Sequence, residues 1–461
     1  MKPIKLMDVV KHVYAIDYTA KNRNILVENV EFDSRKITPN SLFVPLVGGA
    51  TDGHDYIQQA IANGAIATLW SADPALAPSD DIAVIFVDDT LEAFQKLANY
   101  YRHLIDPIVV GITGSNGKTT TKDMTAMTLT AKYRVHKTEG NYNNEIGLPY
   151  TLLKMPADTQ VCVCEMGMSG FGEIKLLSEI AQPDIAAITL IGESHLEHLG
   201  TRAGIAQAKL EILHGLTENG VFIYPGNEPL IESEMPEVER MMYLRSFGFN
   251  SDCDVYAYDL VEEQNQTFFK TNVDNNVTCV IPVLGAYNVS NALIALSVAE
   301  VLDVPMEQAI FTLSQFKLTA NRLEWLKTHH GADLLNDAYN ASPTSMRAVL
   351  QTFSTLDAPR KIAVLGDIRE LGENSAQFHS ELSASLDPSK IEKVYLFGTE
   401  MRALYDTLQT KYSAEHLFYE ESKHERLIEA LNQDIQPSDM LLVKSSFGTD
   451  LLRVVRELES V

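Results

Sequence analysis

Basic residues are scarce in this 461-residue chain: 37 Lys and Arg stand against 62 Asp and Glu, for a formal net charge of −25. A surface that acidic repels the phosphates of nucleic acids and of anionic lipids, so neither is an expected partner. If the ligands are themselves anions, positive charge has to be gathered locally at a site. Cysteine is scarce too. Cys162, Cys164, Cys253 and Cys279 include no C-x-x-C pair, which argues against a thiol metal or redox site. Few thiols in a long chain fit a reducing cytoplasm. Long hydrophobic runs are missing as well. No segment has the ~20 apolar residues that span a bilayer. The N-terminus, MKPIKLMDVVKHVYAID, lacks a continuous apolar stretch of the kind a secretion signal needs. The expected location is the cytoplasm, with no membrane insertion. There is no internal repeat and no low-complexity tract.

What is present reads as an ordinary globular protein, 45% hydrophobic and 21% charged. At roughly 150 residues per domain, the length suggests about three domains. In the first 88 residues VENVEF, SLFVPLVG, IATLW and IAVIFVDD read as strands, and DGHDYIQQAIANGA as a helix with Tyr56, Ile57, Ala60 and Ile61 on one face. Residues 91–104 form an amphipathic helix. Then come the continuous apolar runs PIVVGITG, QVCVCEMG, DIAAITLIG and GVFIYPG, spaced by helical stretches. Runs of that kind indicate a parallel sheet covered on both faces. Cys162 and Cys164 alternate within one of them, which predicts two buried thiols on one strand face. Residues 247–283 alternate apolar and polar, a small β excursion with Asp274-Asn275-Asn276 as its hairpin tip. The segment GAYNVSNALIALSVAEVL returns to helix. A second α/β series, ADLLNDAY, KIAVLGDI, EKVYLFGT and MLLVKSS, follows a boundary placed at Leu318-Thr319-Ala320. The expected architecture is α/β in three domains: 1–88, 89–318 and 319–461.

The strongest local signal is the run from Ile108 to Thr120, IVVGITGSNGKTT. A buried strand enters a glycine-rich turn and leaves as a helix. The turn and the helix N-terminus aim unpaired N–H groups at one point, a geometry that cradles phosphate. Gly114, Ser115, Asn116, Gly117, Lys118, Thr119 and Thr120 are therefore candidate ATP contacts, with Lys118 as a point charge and the Thr119 hydroxyl as a Mg²⁺ ligand. The strict G-x-x-x-x-G-K-[ST] pattern misses one residue, since Ile112 stands at its first glycine.

Two further strands end in groups with chemistry. QVCVCEMG ends in Glu165, in the crevice at the carboxyl ends of parallel strands where ligands bind. It is a candidate Mg²⁺ ligand or a solvated strand end. DIAAITLIG leads to Glu193-Ser-His-Leu-Glu-His198, so His195 emerges from the same edge; His198 has the same chemistry in weaker placement. In AGIAQAKLEILHGL the apolar stripe is Ile205, Ile212, Leu213 and Leu216, which puts Lys209 on the inward face. A partly buried lysine tends toward a lowered pKa, and a neutral amine can take up CO₂ as a carbamate, an oxygen ligand for a hard cation. A lysine whose head reaches solvent is the commoner outcome at such positions.

TGSNGKTT resembles the variant phosphate loop of the Mur ligases and of their folylpolyglutamate synthase relatives. The resemblance extends along nearly the whole chain, in order. Gly140-Asn-Tyr-Asn-Asn-Glu-Ile-Gly-Leu-Pro149, Glu165-Met-Gly with Gly172-Glu-Ile174, Gly192-Glu-Ser-His-Leu-Glu197, Asp337-Ala-Tyr-Asn-Ala-Ser-Pro343 and Gly366-Asp-Ile-Arg-Glu-Leu-Gly372 are similar to segments of the branch that uses D-alanyl-D-alanine. The Asp337 segment discriminates best. Folate relatives tend toward D-G-A-H-N-P there, and the ligase that adds the third peptide residue toward D-Y-A-H-T-P. Near the N-terminus Phe32-Asp-Ser-Arg35, Phe43-Val-Pro-Leu-Val-Gly48 and Asp52-Gly-His54 resemble a UDP-binding domain of the family.

The resemblance implies a central phosphate-loop domain, a smaller N-terminal UDP-binding domain and a Rossmann-like C-terminal domain. It implies ATP, UDP-N-acetylmuramoyl-tripeptide and D-alanyl-D-alanine as ligands, and an acyl phosphate on the way to an amide. It implies two Mg²⁺ ions on Thr119, Glu165, His195 and a carbamylated Lys209. Lys118 and Arg322 would meet the transferred phosphate, Asn288 and Asn291 adenine, and Asp337 ribose. Substrate contacts would fall on Ser34, Arg35, Gly48, Asp52, His54, Asn141, Asn143, Asn144, Tyr339, Asn340 and Lys444. Another amide ligase of the family and a non-catalytic ATP-binding module are the alternatives. The Tyr339-Asn340-Ala341 segment argues against the first, and the presence of Glu165, His195 and Lys209 against the second.

Three positions depart from the pattern: Tyr287 stands where many relatives have His, Ser342 replaces the second Asn of N-A-N-P, and Lys444-Ser-Ser-Phe447 replaces a K-G-S-[RN]-like end. Several of these residues also have purely structural readings. Ser342-Pro343 is a good helix start, Asn288 and Asn291 could bridge helix turns, Arg322 could be a surface ion pair, and Asp33-Ser34-Arg35 could be an ordinary turn.

Overall fold

The computed structural model describes residues 1–49, 51–78, 82–235, 241–263, 265–317 and 321–459. The expected boundary at Leu318-Thr319-Ala320 lies outside them. Three larger sheets occupy residues 17–86, 108–281 and 324–444 in turn.

The first sheet runs in the order Asp17–Thr19, Ala83–Phe86, Ala65–Trp70, Ser41–Phe43, Asn29–Glu31, parallel except for its first pair. The helix expected from Asp52 begins as a 3₁₀ turn, Gly53–Tyr56, and becomes α-helical only over Ile57–Ala62. Ile57 and Ala60 are buried, but Tyr56 is exposed. A 3₁₀ turn advances each residue further round the axis than an α-helix, so Tyr56 leaves the face that a uniform 3.6-residue period assigns it.

The second sheet has nine strands: β1 (Ile108–Thr113), β2 (Val135–Lys137), β3 (Val161–Glu165), β4 (Ile185–Ile188), β5 (Gly220–Pro225), β6 (Met242–Gly248), β7 (Val255–Glu263), β8 (Gln266–Thr271) and β9 (Asp274–Ile281). Their order is β9-β8-β7-β6-β5-β4-β1-β3-β2, parallel from β2 through β7 and antiparallel for the last two pairs. The β excursion thus continues the parallel sheet. Its hairpin turns at Asn272-Val273, because Thr271 pairs with Asp274 and the expected tip residues already lie in β9. The Asn272 side chain accepts from the Tyr256 amide and donates to the Asp254 carbonyl, both at 2.8 Å, and this fixes the turn there. Cys162 and Cys164 are fully buried on one face of β3, sulfurs 3.6 Å apart. Among the helices covering this sheet, α1 (Lys118–Leu129) follows the phosphate loop, α2 (Arg202–Leu210) carries Lys209, and α3 (Ala286–Val301) packs on α1.

The third sheet is β10 (Glu324–Lys327), β11 (Asp333–Asp337), β12 (Arg360–Gly366), β13 (Lys393–Phe397), β14 (Leu417–Glu420) and β15 (Asp439–Lys444). Its order is β10-β11-β15-β12-β13-β14, parallel except for the β10–β11 pair. After β11 comes α4 (Pro343–Thr355), started by Ser342 in a reciprocal capping arrangement with Ser345 and by Pro343 in its first turn.

Polar contacts tie the sheets together. Lys154, on the segment after β2, pairs with buried Glu31 of the first sheet, and the Tyr150 hydroxyl donates to the same carboxylate at 3.1 Å. On the other side the Ser342 hydroxyl donates to Asn116 Oδ1 of the phosphate loop at 2.8 Å. Glu193 accepts from the Thr344 amide at 3.2 Å and pairs with Arg347 at 2.9 Å. The carboxyl ends of β1, β3 and β4 therefore face the third domain across one cleft.

Candidate active site

The phosphate loop leaves β1 at Thr113 and enters α1 at Lys118. Gly114 has φ +146° and Gly117 φ +79°. A Cβ on Gly114 would sit 1.8 Å from Thr189 Oγ1, and one on Gly117 2.5 Å from Asn291 Oδ1. Both the backbone conformation and the space require glycine. Lys118 Nζ donates to the Gly114 carbonyl at 2.8 Å, which folds the side chain back over the loop. Burial lowers the Lys118 pKa, while the Glu165 carboxylate pulls it up. Ser115 borders the cavity above the loop. It is buried, and its hydroxyl accepts from the Gly192 amide at 2.9 Å and braces the turn after β4. Thr119 and Thr120 sit in the first turn of α1, and both border the cavity above the loop.

That cavity has a volume of about 360 Å³. Glu165, Thr119 and Lys118 form its floor; Arg322, Asp337, Tyr339 and Asn340 of the third domain form its far wall. Its other end is apolar, with Pro225, Phe247, Phe249 and Tyr287. Pro225 and Phe247 lie at the ends of β5 and β6, two and three strands from β1. At about 4.8 Å per strand, that end lies up to ~14 Å from the loop, a span suited to a nucleotide with its phosphates on the loop and its base on the aromatic end.

Glu165 pairs in register with Ile112 at the end of β1. Its Oε1 accepts from Asn143 Nδ2 at 2.8 Å and its amide donates to Thr138 Oγ1 at 3.0 Å. Its Oε2 is buried and has no hydrogen-bond partner among the described residues. A buried, unpartnered anionic oxygen on a residue that lines the same cavity as Thr119 fits a divalent cation. No cluster of three or more His, Cys, Asp or Glu with metal-ligand spacing occurs among the described residues, so the remaining ligands would have to come from a hydroxyl, a modified side chain or the phosphates themselves.

His195 sits apart from the main cavity, at positive φ before a short helix. It borders two neighbouring cavities, one of which it shares with Lys118. Its Nδ1 bonds Glu370 of the third domain, and its Nε2 has no partner among the described residues. That hydrogen bond holds the Glu370 carboxyl below the usual carboxylate range. Lys209 lies on the inward side of α2 as its stripe predicts, 1% exposed. Burial drives its pKa well below the ordinary lysine value, and the charge of Lys118 adds to the effect. No described residue accepts a hydrogen bond from its Nζ or pairs with it.

Other expected contacts have different partners. Asn288 and Asn291 do bridge helix turns. Asn291 Nδ2 donates to Asn288 Oδ1 at 3.1 Å, Thr121 Oγ1 donates to Asn291 Oδ1 at 3.0 Å, and Asn288 Nδ2 donates to the Leu284 carbonyl at 2.7 Å. This chain clamps α3 to α1, and both asparagines also line the cavity where adenine contacts are expected of them. Arg322 has no ion pair among the described residues; its guanidinium lies 4.4 Å from the centre of the Tyr339 ring. Lys444 is buried, spans Asp337 and the Asn340 carbonyl, and lines the cavity with them. Asn144 accepts from the Gly147 amide at 2.9 Å and starts the following helix, while Asn141 borders the main cavity.

The N-terminal set does not reach this cavity. Ser34 donates to Gln59 at 2.7 Å, Arg35 is exposed and doubly bonded to Asp33, and Gly48 closes a turn on Thr51 at 2.9 Å. His54 is buried edge-on to Trp70, and its Nε2 accepts from the Ser71 amide, so its Nδ1–H donates to Asp52 at 2.6 Å. These residues hold one rim of the first sheet.

Three family descriptions match the chain in sequence: Mur ligase family, catalytic domain over residues 26–102, Mur ligase middle domain over 112–299, and Mur ligase, glutamate ligase domain over 321–447. The chain belongs to the Mur ligase family. This Mur ligase is 42% identical, over 94% of its length and 93% of the relative's, to the UDP-N-acetylmuramoyl-tripeptide–D-alanyl-D-alanine ligase of Bacillus subtilis. The Escherichia coli ligase of the same description is 32% identical over 83% of both chains. Among solved structures, MurF from Acinetobacter baumannii superposes with a TM-score of 0.87 at 28% identity over 99% of both chains. MurF from Thermotoga maritima in complex with ADP superposes at 0.82, with 28% identity, over 94% of this ligase and 97% of that chain.

Sequence reasoning left four of the ligase's site residues unassigned: Glu193 and Glu370, which join the central and third domains, and Phe247 and Phe249 at the apolar end. The two glutamates stand inside motifs already quoted, but their partners are 154 and 175 residues away. The phenylalanines fall in a stretch that alternation marks only as strand.

Proposed function

We propose that this Mur ligase joins D-alanyl-D-alanine to the terminal carboxyl of UDP-N-acetylmuramoyl-tripeptide, with ATP converted to ADP and phosphate. The observation that carries the reading is the single cavity floored by the phosphate loop and Glu165 and walled by Arg322, Asp337 and Tyr339 of the third domain. Its length and its chemistry suit ATP, and the 42% identity to the Bacillus subtilis ligase supports the acceptor and donor. Residues 1–88 are assigned to the UDP-linked substrate, 89–318 to ATP, and 319–461 to closing over both. No helix among the described residues is long and apolar enough to cross a membrane, and we place the reaction in the cytoplasm with its water-soluble nucleotides.

The reaction runs in two displacements. A carboxylate oxygen of the tripeptide attacks the γ-phosphorus, the bond to the β-phosphate oxygen breaks, and ADP departs. The dipeptide amine then attacks the acyl carbon, the C–O bond to phosphate breaks, and the amine's proton is lost as phosphate leaves. Lys118 holds negative charge on the moving phosphoryl group, and Arg322 meets it from the opposite wall. Tyr339 keeps the Arg322 guanidinium in place by stacking. Thr119, Glu165 and the Nε2 of His195 would hold Mg²⁺, with Lys209 as a carbamate, and the metal would neutralise phosphate charge. Lys209 is suited to carbamate formation because it is buried, unpartnered and held toward its neutral form. Asn143 fixes the orientation of Glu165, and the third domain shields the acyl phosphate from water.

The test is phosphate release by the full chain. It should require ATP, the UDP-linked tripeptide and D-alanyl-D-alanine together. Lys118→Ala should lower turnover at least ~1000-fold with an unchanged melting profile. Turnover with glutamate and a folate in place of these substrates, or normal turnover by folded Lys118→Ala, would sink the reading.

A further inference from the structure

A second cavity, of about 160 Å³, lies beside the phosphate loop. One side is the turn Glu193–His195; the other is made by the loops after β12 and β15, at Ile368–Leu371 and Ser446–Gly448. Its ionisable groups are Glu193, His195, Arg369 and Glu370. Glu193 is taken by Arg347, and His195 and Glu370 by each other. Arg369 has no carboxylate within ion-pair distance among the described residues. Its amide donates to Ser446 Oγ at 3.0 Å and its Nη2 to the Gly448 carbonyl at 2.9 Å. A Cβ on Gly448 would stand 3.1 Å from Arg369 Nε, so the side chain lies across the glycine and is held there. Buried Asp367 feels the charge of Arg369, but its carboxyl accepts from the Met401 amide at 3.0 Å. Of the five guanidinium donors, one is used by the protein.

Arg369 is exposed and laid across Gly448 with open donors, and each carboxylate of the cavity already has a protein partner, an arrangement that can receive a planar anion. We propose that Arg369 binds the free carboxylate of the incoming dipeptide and so selects amine substrates that end in a carboxylate. The assignment rests on the function proposed above. An extended dipeptide spans about 7 Å. Held at Arg369, it lies along the cavity with its amine toward His195 and the Lys118 side of the site. Glu370, the next residue, grips His195, so the anchor for the carboxylate and the group near the reacting centre ride on one loop. Phe447, 65% exposed at the lip, offers apolar surface to the dipeptide methyl groups.

The test compares D-alanyl-D-alanine with D-alanyl-D-alanine amide, which lacks the charge, as acceptors for the full chain with ATP, Mg²⁺ and the UDP-linked tripeptide. Arg369→Ala should raise the KM for the acid between about 10- and 100-fold, the loss of a charged hydrogen bond. Its kcat should stay within about threefold, and the KM for ATP should not move. The amide should have the same KM with both proteins, and Arg369→Lys should recover part of the loss for the acid. An acid KM unchanged by Arg369→Ala, or equal losses for acid and amide, would overturn the assignment. Absence of phosphate release by the unsubstituted chain with either acceptor would instead overturn the function itself, and Arg369's part with it.

Discussion

Lys209 of the central domain and Lys444 of the third are buried alike, at 1% and 3% exposure, but their surroundings differ. Lys444 takes the carboxylate of Asp337, its neighbour on the adjacent parallel strand, and the Asn340 carbonyl in the loop that follows. Lys209 meets no acceptor among the described residues and feels the repulsion of Lys118. Burial alone disfavours the ammonium form in both places; what differs is whether a partner compensates. The paired lysine is a strut for the nucleotide wall. The unpaired one is held toward its neutral, nucleophilic form, which makes it available for chemistry.

Three experiments sharpen that contrast. Lys209→Ala should lower turnover by at least ~100-fold, the scale expected when support for a bound metal is lost. Short carboxylic acids should restore part of it by placing oxygens in the vacated space, and Lys209→Arg should not respond, because its guanidinium fills that space. Lack of rescue, with a bare ammonium seen at Lys209 in a nucleotide-bound crystal, would remove the carbamate. Lys444→Met should destabilise the chain by about 3 kcal/mol in urea unfolding, because it strands Asp337 without its counter-charge. Lys209→Met should be near neutral or stabilising by the same measurement; equal losses from the two substitutions would erase the distinction.

The smallest effect is one of pH. The folded-state pKa of Lys209 lies below its unfolded value. Between the two the unfolded chain binds the extra proton, so stability rises with pH until the unfolded value near 10.5 is reached. In CO₂-free buffer the unsubstituted chain should gain more stability than Lys209→Met between pH 7.5 and 9.5. Parallel slopes would mean that Lys209 is charged in the fold.

Much of this was legible in the sequence where the signal is local. Uninterrupted apolar runs marked β1, β3, β4 and β5, and the glycines with Lys118 marked the phosphate loop. The inward face of Lys209 followed from its neighbours at Ile205 and Leu213. The rest depends on partners far away in the chain. The hairpin after β8 turns at Asn272 because Tyr256 and Asp254 hold that side chain, while Asn275 and Asn276 sit in the strand itself. Lys444 lines the cavity, but nothing local reveals that Asp337 faces it across a strand pair. Asn288 and Asn291 fit a nucleotide motif and line the cavity, and a helix crossing takes half of their hydrogen-bonding capacity, which no local signal announces.

The Ser342 hydroxyl has one proton, and it goes to Asn116. The same oxygen accepts from the Ser345 amide to start α4, so it cannot swing away without unwinding the helix it begins. The loop that meets phosphate is thereby fastened to the far side of the cleft by a bond worth about 1 kcal/mol. A ligand that draws Asn116 into its own contacts releases that fastening, and about 1 kcal/mol changes the ratio of two arrangements roughly fivefold. One of the ties between the central and third domains, beside those of Glu193 and His195, is thus adjusted from within the nucleotide site, like a spring whose tension is set at its fixed end.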